Sequence, residues 1–294
     1  MAVTTKLDVS LSMLLNLVEI SSIASIKETV GGILSLISNP AAISSDLIRL
    51  IELDPPLTAK ILRVANSSNY ATAQTIDDIQ QALIWIGFDT LKEIVLTQKM
   101  SEIYHNGTPV FGYSRLQLWR HNLAVALLAK TIYRHEFGEK GNKAYAAGLM
   151  HDIGVIVEDQ LLHKDFIQML QSLKDTPQSL SDGEVSLFGY DHGLVGKSLA
   201  ENWNFPAELI DGIGFHHNPG GAREEYRLFV KTIFISDYLM LEQGYGYVAM
   251  PLPDREILQQ YVMDLGLQWH ALHAIVELVL EELKKDERKG YLTA

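Results

Sequence analysis

The sequence contains no cysteine among its 294 residues. Disulfide bonds, zinc–thiolate sites and thiol catalysis are therefore excluded, and any metal must be bound through nitrogen or oxygen. Positive charge is scarce as well: 24 Lys and Arg stand against 36 Asp and Glu, which gives a net charge of −12. Nucleic-acid binding depends on cationic groups that neutralise phosphates, so a nucleic-acid partner is not expected.

Long apolar runs are also missing. No window reaches the ~18 uninterrupted apolar residues that a membrane span requires, and residues 1–6 lack the basic and apolar parts of a secretion signal. We therefore expect a cytoplasmic protein with no membrane partner. The composition, with 47% apolar and 20% charged residues, is typical of a globular protein with one large or two ordinary domains.

Strand-like alternation of apolar and polar residues is hard to find over five or more positions. Apolar residues recur at helical spacing instead, as at Leu11, Leu14 and Val18. We predict an all-α fold, a multi-helix bundle of two packed lobes. The lobes are expected at residues 8–104 and 112–285, with a junction over residues 104–113.

Two predicted helices carry residues of special interest. One spans residues 142–156 and the other spans residues 182–203. Ser181 and Glu184 have the spacing of a capping box, in which each side chain satisfies a free backbone amide at the start of a helix. The sequence therefore predicts that the second helix begins at about residue 182.

Histidine and aspartate side chains interrupt the apolar helical segments of the second lobe. Burying such a side chain is unfavourable unless another group pairs with it. Imidazole and carboxylate bind first-row divalent ions, and about seven such ligands suit two ions that share a site. The seven candidates are His121, His151, Asp152, His192, His216, His217 and Asp237.

Each candidate taken alone has a simpler explanation. His151 and Asp152 would pair with each other or cap a neighbouring helix. A single histidine such as His121 or His192 is more often a hydrogen-bonded core residue. Adjacent His216 and His217, followed by Asn-Pro, form a more rigid pair of donors. One shared metal cluster would explain all these polar side chains in apolar helices, which lie within about 120 residues, so we predict such a cluster.

The order of these residues resembles that of the HD superfamily of metal-dependent phosphohydrolases, which is His, His-Asp, Asp. In this sequence the corresponding residues are His121, His151-Asp152 and Asp237. The further histidines resemble the extra ligands of the HD-GYP branch, which holds two or three metals and cleaves cyclic di-GMP.

The layout of residues 12–245 is most similar to the HD-related output domain (HDOD) family. The sequence segments that show this similarity include Ile51-Glu-Leu-Asp-Pro-Pro-Leu57 and Asp191-His-Gly-Leu-Val-Gly196. Members of that family are taken to be signalling or regulatory modules, and many have lost ligands. The resemblance implies an HD-like second lobe.

The sequence departs from both relatives. Its ligand set is unusually complete for an HDOD module. Compared with HD-GYP enzymes, Val155 replaces the lysine after His-Asp-Ile-Gly, and no Gly-Tyr-Pro signature follows His217. Phosphoryl transfer relies on cations around the phosphate as well as on metal. Arg120, Lys197 and Lys231 are candidate substitutes, although an ordinary surface charge is the preferred interpretation of each.

The resemblance implies a bacterial signal-transduction module that retains a two-metal site. Iron is the expected metal, with manganese, nickel, zinc and magnesium as alternatives. Asp152 is the natural bridging ligand, because a carboxylate can offer one oxygen to each ion, and it is the candidate catalytic residue. The expected partner is a signalling protein or a small phosphorylated ligand.

Two alternatives stay open. The first is a working metal-dependent phosphohydrolase or phosphodiesterase that acts on a nucleotide or cyclic dinucleotide. The second is a structural scaffold whose histidines form hydrogen bonds and hold no ion.

Overall fold

The computed structural model describes residues 6–39, 41–67, 75–105, 107–174, 176–248 and 251–288. Helices make up nearly all the regular structure of these residues. Their single β contact is an isolated bridge between Val110 and Tyr113. The all-α prediction is therefore confirmed.

The α-helices of the described residues are numbered in chain order. They are α1 (Lys6–Val18), α2 (Lys27–Ser38), α3 (Ser44–Glu52), α4 (Pro55–Ala65), α5 (Ile79–Ile86), α6 (Phe88–Ser101), α7 (Arg115–Glu136), α8 (Asn142–Met150), α9 (Ile153–Leu161), α10 (His163–Leu173), α11 (Leu180–Phe188), α12 (His192–Asn202), α13 (Ala207–Gly214), α14 (Arg227–Glu242), α15 (Arg255–Asp264) and α16 (Trp269–Arg288). Short 3₁₀ turns lie at Ser22–Ile26, Glu102–Tyr104, Pro219–Gly221 and Glu224–Tyr226.

Side-chain caps fix where several helices begin. The Asp54 carboxylate accepts a hydrogen bond from the backbone N–H of Leu57, and prolines occupy the first turn of α4. Ser114 caps α7 and Asp191 caps α12 in the same way. Each cap satisfies a backbone donor that has no partner inside the helix, so these starts are set by local sequence.

The two long helices predicted around the candidate ligands are both interrupted. The helix predicted at 142–156 stops at Met150 and starts again at Ile153, and the helix predicted at 182–203 stops at Phe188 and starts again at His192. Gly189 ends α11 with a φ of +84°, a conformation that favours glycine. The candidate ligands on these two segments, His151, Asp152 and His192, therefore lie at helix ends rather than along continuous helices.

The predicted capping box was wrong by two residues. The Ser179 side chain accepts from the backbone of Asp182, and the Asp182 carboxylate accepts from the backbone of Ser179, so α11 begins at Leu180. Glu184 is not at the surface, where a capping residue would lie, but is completely buried.

Helix α7 lies at the centre of the second half of the chain, where it packs against α8, α14 and α16. Helices α2 to α6 pack mainly on one another, and α2 and α6 also contact α8, whereas α1 packs against α9 and α12. The buried apolar side chains form one continuous cluster through both halves. The division into lobes at 8–104 and 112–285 stays a prediction.

Buried Asp159 on α9 holds the segment that precedes α7. Its carboxylate accepts hydrogen bonds from the Tyr113 hydroxyl at 2.9 Å, the Arg115 Nε at 2.6 Å and the His163 Nδ1 at 2.7 Å. The neighbouring Gln160 donates to the carbonyl oxygen of Ile103 at 2.6 Å. Helix α9 is thereby joined to the end of the first half of the chain.

No single helix in the described ranges is long and apolar enough to cross a membrane. One bent pair, Leu11–Val18 with Ser22–Ser38, meets the criteria of length and composition at an angle of 61°.

Helices α9 and α12 touch backbone to backbone at Gly154. A Cβ atom at this position would lie 2.0 Å from the carbonyl oxygen of His192. Only a residue without a side chain fits this contact, which places the start of α12 directly beside the start of α9.

Substitution of Gly154 tests this contact. We expect Gly154→Ala to lower the free energy of unfolding by about 1–3 kcal/mol, because the added methyl group overpacks a rigid backbone contact. Gly31→Ala is the matched control: a Cβ in that part of α2 meets no atom within 4 Å, so the helix should gain about 0.5–1 kcal/mol. Urea unfolding measures both, and equal midpoints for the two variants would contradict the packing described.

Candidate metal centre

The seven candidate ligands converge at one place in the fold. His121 lies within α7 and Asp237 within α14, whereas the other five lie at helix ends. His151 and Asp152 form the turn between α8 and α9, His192 is the first residue of α12, and His216 and His217 follow α13. Six of the seven are buried, while the His217 side chain is 37% exposed.

One group of ligand atoms surrounds the Oδ2 atom of Asp152. His151 Nε2 lies 3.3 Å from this oxygen and His121 Nε2 lies 3.7 Å from it. The two Nε2 atoms are 3.2 Å apart. Asp237 completes the group, because its Oδ1 atom lies 3.1 Å from His121 Nε2.

A second group surrounds the other oxygen of the same carboxylate. His192 Nε2 lies 3.3 Å from Asp152 Oδ1, and His216 Nε2 lies 3.4 Å from it. His217 Nε2 is 3.0 Å from His192 Nε2. Donor atoms of His121, His151 and Asp152 all lie within 4.8 Å of one another, and so do those of Asp152, His192, His216 and His217, so Asp152 belongs to both sets.

The histidine rings are oriented by hydrogen bonds at their outer nitrogens. His121 Nδ1 faces the carbonyl oxygen of Tyr245 at 2.9 Å, and His151 Nδ1 faces that of Gly148 at 2.8 Å. His216 Nδ1 faces the carbonyl oxygen of Ile213 at 2.6 Å. A carbonyl oxygen only accepts, so each Nδ1 donates the hydrogen and each Nε2 atom faces the cluster, where it can offer a lone pair to a metal ion.

Converging lone pairs require a positive charge among them. His121 and His151 direct Nε2 atoms at each other across 3.2 Å, and Asp152 adds a carboxylate. Asp152 Oδ1 and His216 Nε2 are buried without a hydrogen-bond partner in the described residues. Buried polar atoms without partners are unfavourable. The donor set therefore fits divalent metal ions, which would satisfy all these lone pairs.

Both aspartates are ionised at neutral pH. Burial alone would raise the pKa of the Asp152 carboxyl, but His151, together with the contacts with His192 and His216, holds that pKa well below its ordinary value. Burial acts in the same direction on Asp237, where the neighbouring His121 outweighs it and lowers the pKa to about 2. Ionised carboxylates are the form that binds a metal.

A second carboxylate behind His192 was missed by the sequence interpretation. Glu184 Oε2 accepts from the Nδ1 atom of His192 at 2.7 Å and from its backbone N–H at 2.8 Å. A carboxylate in this position fixes the ring and makes the inner nitrogen a better ligand. The spacing between Ser181 and Glu184 had suggested that Glu184 caps a helix. In the fold Glu184 is fully buried, and its carboxylate contacts His192 instead.

Glu158 lies buried on α9 beside Glu184. Burial, together with the charge of Glu184, raises the pKa of the Glu158 carboxyl well above its ordinary value. A raised pKa favours the protonated, neutral form of Glu158, which allows two carboxyl groups to share one apolar region. The sequence contained no signal for this pair, because neither residue lies beside a candidate ligand along the chain.

A cavity of about 830 Å³ opens onto the cluster. Five of the seven candidate ligands reach its wall: His121, Asp152, His192, His217 and Asp237. Tyr247 also lines it, with its ring 5.2 Å from that of His121. A small molecule or water therefore has a direct path to the ligand atoms.

The three basic residues that the sequence suggested as phosphate contacts do not line this cavity. Lys197 donates to Glu201 at 2.6 Å, and Lys231 donates to Asp264 at 2.5 Å. Arg120 also lies outside the wall of the cavity. The preferred interpretation of Lys197 and Lys231 as ordinary charged residues agrees with these ion pairs.

Comparison with known proteins identifies the fold and the family. The HDOD domain family model matches residues 23–219 of this chain. An uncharacterized protein of Treponema pallidum (strain Nichols) is 27% identical over 201 residues, which cover 67% of this chain and 38% of that protein. The chain thus spans about two fifths of the length of this curated relative.

Solved structures share the helical architecture. An HDOD domain protein of unknown function from Geobacter sulfurreducens has a TM-score of 0.70 at 24% identity, with 89% of each chain covered. A protein from Marinobacter aquaeolei VT8, proposed to act in signal transduction, has a TM-score of 0.73 at 23% identity. That comparison covers 90% of this chain and 58% of the other. At these identities the likeness shows the fold.

Metal-dependent stability separates a metal centre from a purely hydrogen-bonded scaffold. Saturating Mn²⁺ should raise the melting temperature of metal-free protein by roughly 5 °C or more, because the ion binds the folded state alone. In His216→Ala this rise should be largely lost, while the metal-free variant loses only about 1–3 kcal/mol for one buried hydrogen bond.

His135→Ala is the matched control, because His135 is an exposed histidine outside the cluster. It should keep the full rise in melting temperature. If the wild-type protein melted at the same temperature with and without Mn²⁺, the scaffold interpretation would be favoured. Differential scanning fluorimetry measures all three proteins.

Proposed function

Because the chain belongs to the HDOD family, we propose that it is a bacterial signal-transduction module with a two-metal regulatory centre in the second half of the chain. The observation that supports this proposal is the position of Asp152, whose two oxygens face two different sets of histidines. A bridging carboxylate between two ions about 3.5–4 Å apart requires such a position.

Each candidate ligand has a specific part in the proposed centre. His121, His151 and Asp237 would hold one ion, and His192, His216 and His217 would hold the other. Asp152 would contribute one oxygen to each. Iron is the preferred metal, because the site offers imidazole and carboxylate donors without thiolate. When bound, the ions supply Lewis acidity to whatever molecule reaches the cavity.

The surrounding groups hold these ligands in a fixed arrangement. Three backbone carbonyl oxygens orient His121, His151 and His216, and Glu184 orients His192. Rigid outer contacts of this kind usually preserve metal affinity. They support a centre that binds metal strongly, whether or not a reaction follows.

Helix α9 is the proposed connection between the centre and the first half of the chain. It begins directly after Asp152 and carries Asp159 and Gln160, which hold Arg115 and the carbonyl oxygen of Ile103. Metal or ligand binding that moved Asp152 would therefore be transmitted toward the surface of the first half, where a partner protein would read it.

Elemental analysis tests the proposed centre. Protein purified without chelator should contain about two transition-metal ions per chain, and Asp152→Ala should lose most of both because it removes the shared ligand. Asp165→Ala, a change at an exposed position of α10, should retain them. Hydrogen exchange should also slow in residues 103–115 on metal loading. The absence of bound transition metal from the wild-type protein would refute the centre.

A second candidate function, phosphohydrolase or phosphodiesterase activity, is favoured by the open path from the cavity to Asp152 and His217. No lysine or arginine lies among the described residues of the cavity wall, which counts against this activity, since a phosphate would meet no clamp of these cations there. We therefore expect no turnover of cyclic dinucleotides or nucleotides by Mn- or Fe-loaded protein.

Phosphate release and nucleotide products, followed by chromatography, check this expectation. Wild-type activity at the level of Asp152→Ala would agree with the regulatory proposal. Turnover that disappears in Asp152→Ala would establish the hydrolase instead. Activity that survives the substitution would identify a contaminating enzyme and leave the regulatory proposal in place.

A further inference from the structure

We propose that the cavity over the centre binds a molecule with an apolar body and a single small anionic head, rather than a nucleotide or another multiply phosphorylated ligand. The inference rests on the proposed metal centre for the contact with the head. The contact with the body rests on the cavity wall alone. These two parts can be tested separately.

The cavity wall offers no protein cation. Among its lining residues within the described ranges, none is lysine or arginine. Proteins recognise clustered phosphates with arginine forks and lysines, or with free backbone donors at helix N-termini. The first turns of α11 and α15 reach the wall, but the carboxylates of Asp182 and Asp254 lie there and accept backbone hydrogen bonds. For a ligand with several phosphates, only the metal centre would compensate the negative charge, and the other phosphates would lie beside no protein cation. A ligand with one carboxylate needs only the metal centre to compensate its charge.

Acidic side chains at the rim add to this selectivity. Asp182 and Asp254 line the cavity and do not belong to the ligand cluster. The hydrogen bonds that Asp182 accepts from Ser179 lower the pKa of its carboxyl, so it is ionised at pH 7. Asp254 accepts from the backbone of Glu256 at the start of α15. Like charges disfavour a multiply anionic ligand at the entrance.

The aromatic rings at the wall are already packed. Phe234 lies 5.0 Å from Tyr261 in an edge-to-face contact, and Tyr247 packs on His121 and Tyr113. Both rings are about 95% or more buried. A nucleobase would need an open aromatic face for stacking, and neither ring presents one.

Apolar side chains form much of the remaining wall, beside Gln117, Ser179 and Ser181. Leu180, Leu241 and Val248 line the cavity, and Leu252 and Ile257 stand at its rim with 40% and 43% of their surfaces exposed. Exposed large apolar side chains around a concave site are a mark of ligand binding. A cavity of about 830 Å³ is also within the usual range for small-molecule sites, which is about 300–1,000 Å³.

Calorimetric titration of the full chain tests both parts. Decanoate supplies an apolar body with one carboxylate, 1-decanol supplies the body alone, and cyclic di-GMP supplies clustered phosphate and bases. In Mn-loaded protein, with metal content verified by elemental analysis, decanoate should bind at one site and more tightly than in metal-free protein. Decanol should bind equally well to both forms. Cyclic di-GMP should not displace decanoate.

Leu252→Asp places a carboxylate at the apolar rim, on a side chain exposed enough to tolerate it. This variant should weaken decanoate and decanol about tenfold or more. Leu278→Asp is the matched control, an exposed leucine of α16 outside the cavity, and should bind both molecules normally. Equal weakening in the two variants would overturn the assignment of this cavity.

The remaining outcomes distinguish this inference from the proposed centre. If metal is absent but decanol still binds with sensitivity to Leu252→Asp, the metal centre fails and the apolar cavity stands. If metal is present but neither decanol nor decanoate binds, the inference fails and the centre stands. Displacement of decanoate by cyclic di-GMP would overturn the inference directly.

Discussion

The buried carboxylate of Asp152 is the group on which the site depends. It is an ionised side chain that is 2% exposed, and its two oxygens face different pairs of imidazoles. A buried charge without compensation is strongly destabilising, so the histidines around it belong to the stability of the fold as well as to its chemistry. Their inner nitrogens carry lone pairs, because carbonyl and carboxylate oxygens occupy the outer ones. Metal ions satisfy both requirements together.

The helix breaks serve this arrangement. Side chains along one continuous helix point outward in all directions, whereas the ends of helices can be aimed at one point by the packing of the helices. His192 reaches the centre because Gly189 ends α11 and Gly154 allows α12 to lie directly against α9. Breaks also free backbone carbonyl groups near the last turn, and Gly148 and Ile213 use theirs to orient His151 and His216. The local backbone therefore positions the ligands and supplies their outer contacts.

The centre and its surroundings point to different conclusions about activity. The histidines and aspartates form two sets of donor atoms that could each hold a metal ion. The cavity above them has no lysine or arginine at its described wall and carries Asp182 and Asp254 at the rim. The proposed regulatory centre, responding to an apolar molecule, would reconcile the two observations. Helix α9 would then connect this response to Ile103 and Arg115, which its residues Gln160 and Asp159 contact.

The helical fold class and the candidate ligands could be predicted from the sequence, because apolar periodicity and isolated polar residues in apolar segments are local signals. The order of His121, His151, Asp152 and Asp237 resembles that of the HD superfamily, and sequence segments within residues 12–245 indicated the HDOD family. Tertiary structure alone decided how the donors are grouped about Asp152, because distances between helices do not follow from spacing along the chain. It also decided that Glu184 supports His192 rather than capping a helix. The same holds for the cavity wall, which is assembled from segments distant in sequence, so its lack of basic residues becomes visible only when those segments are packed together.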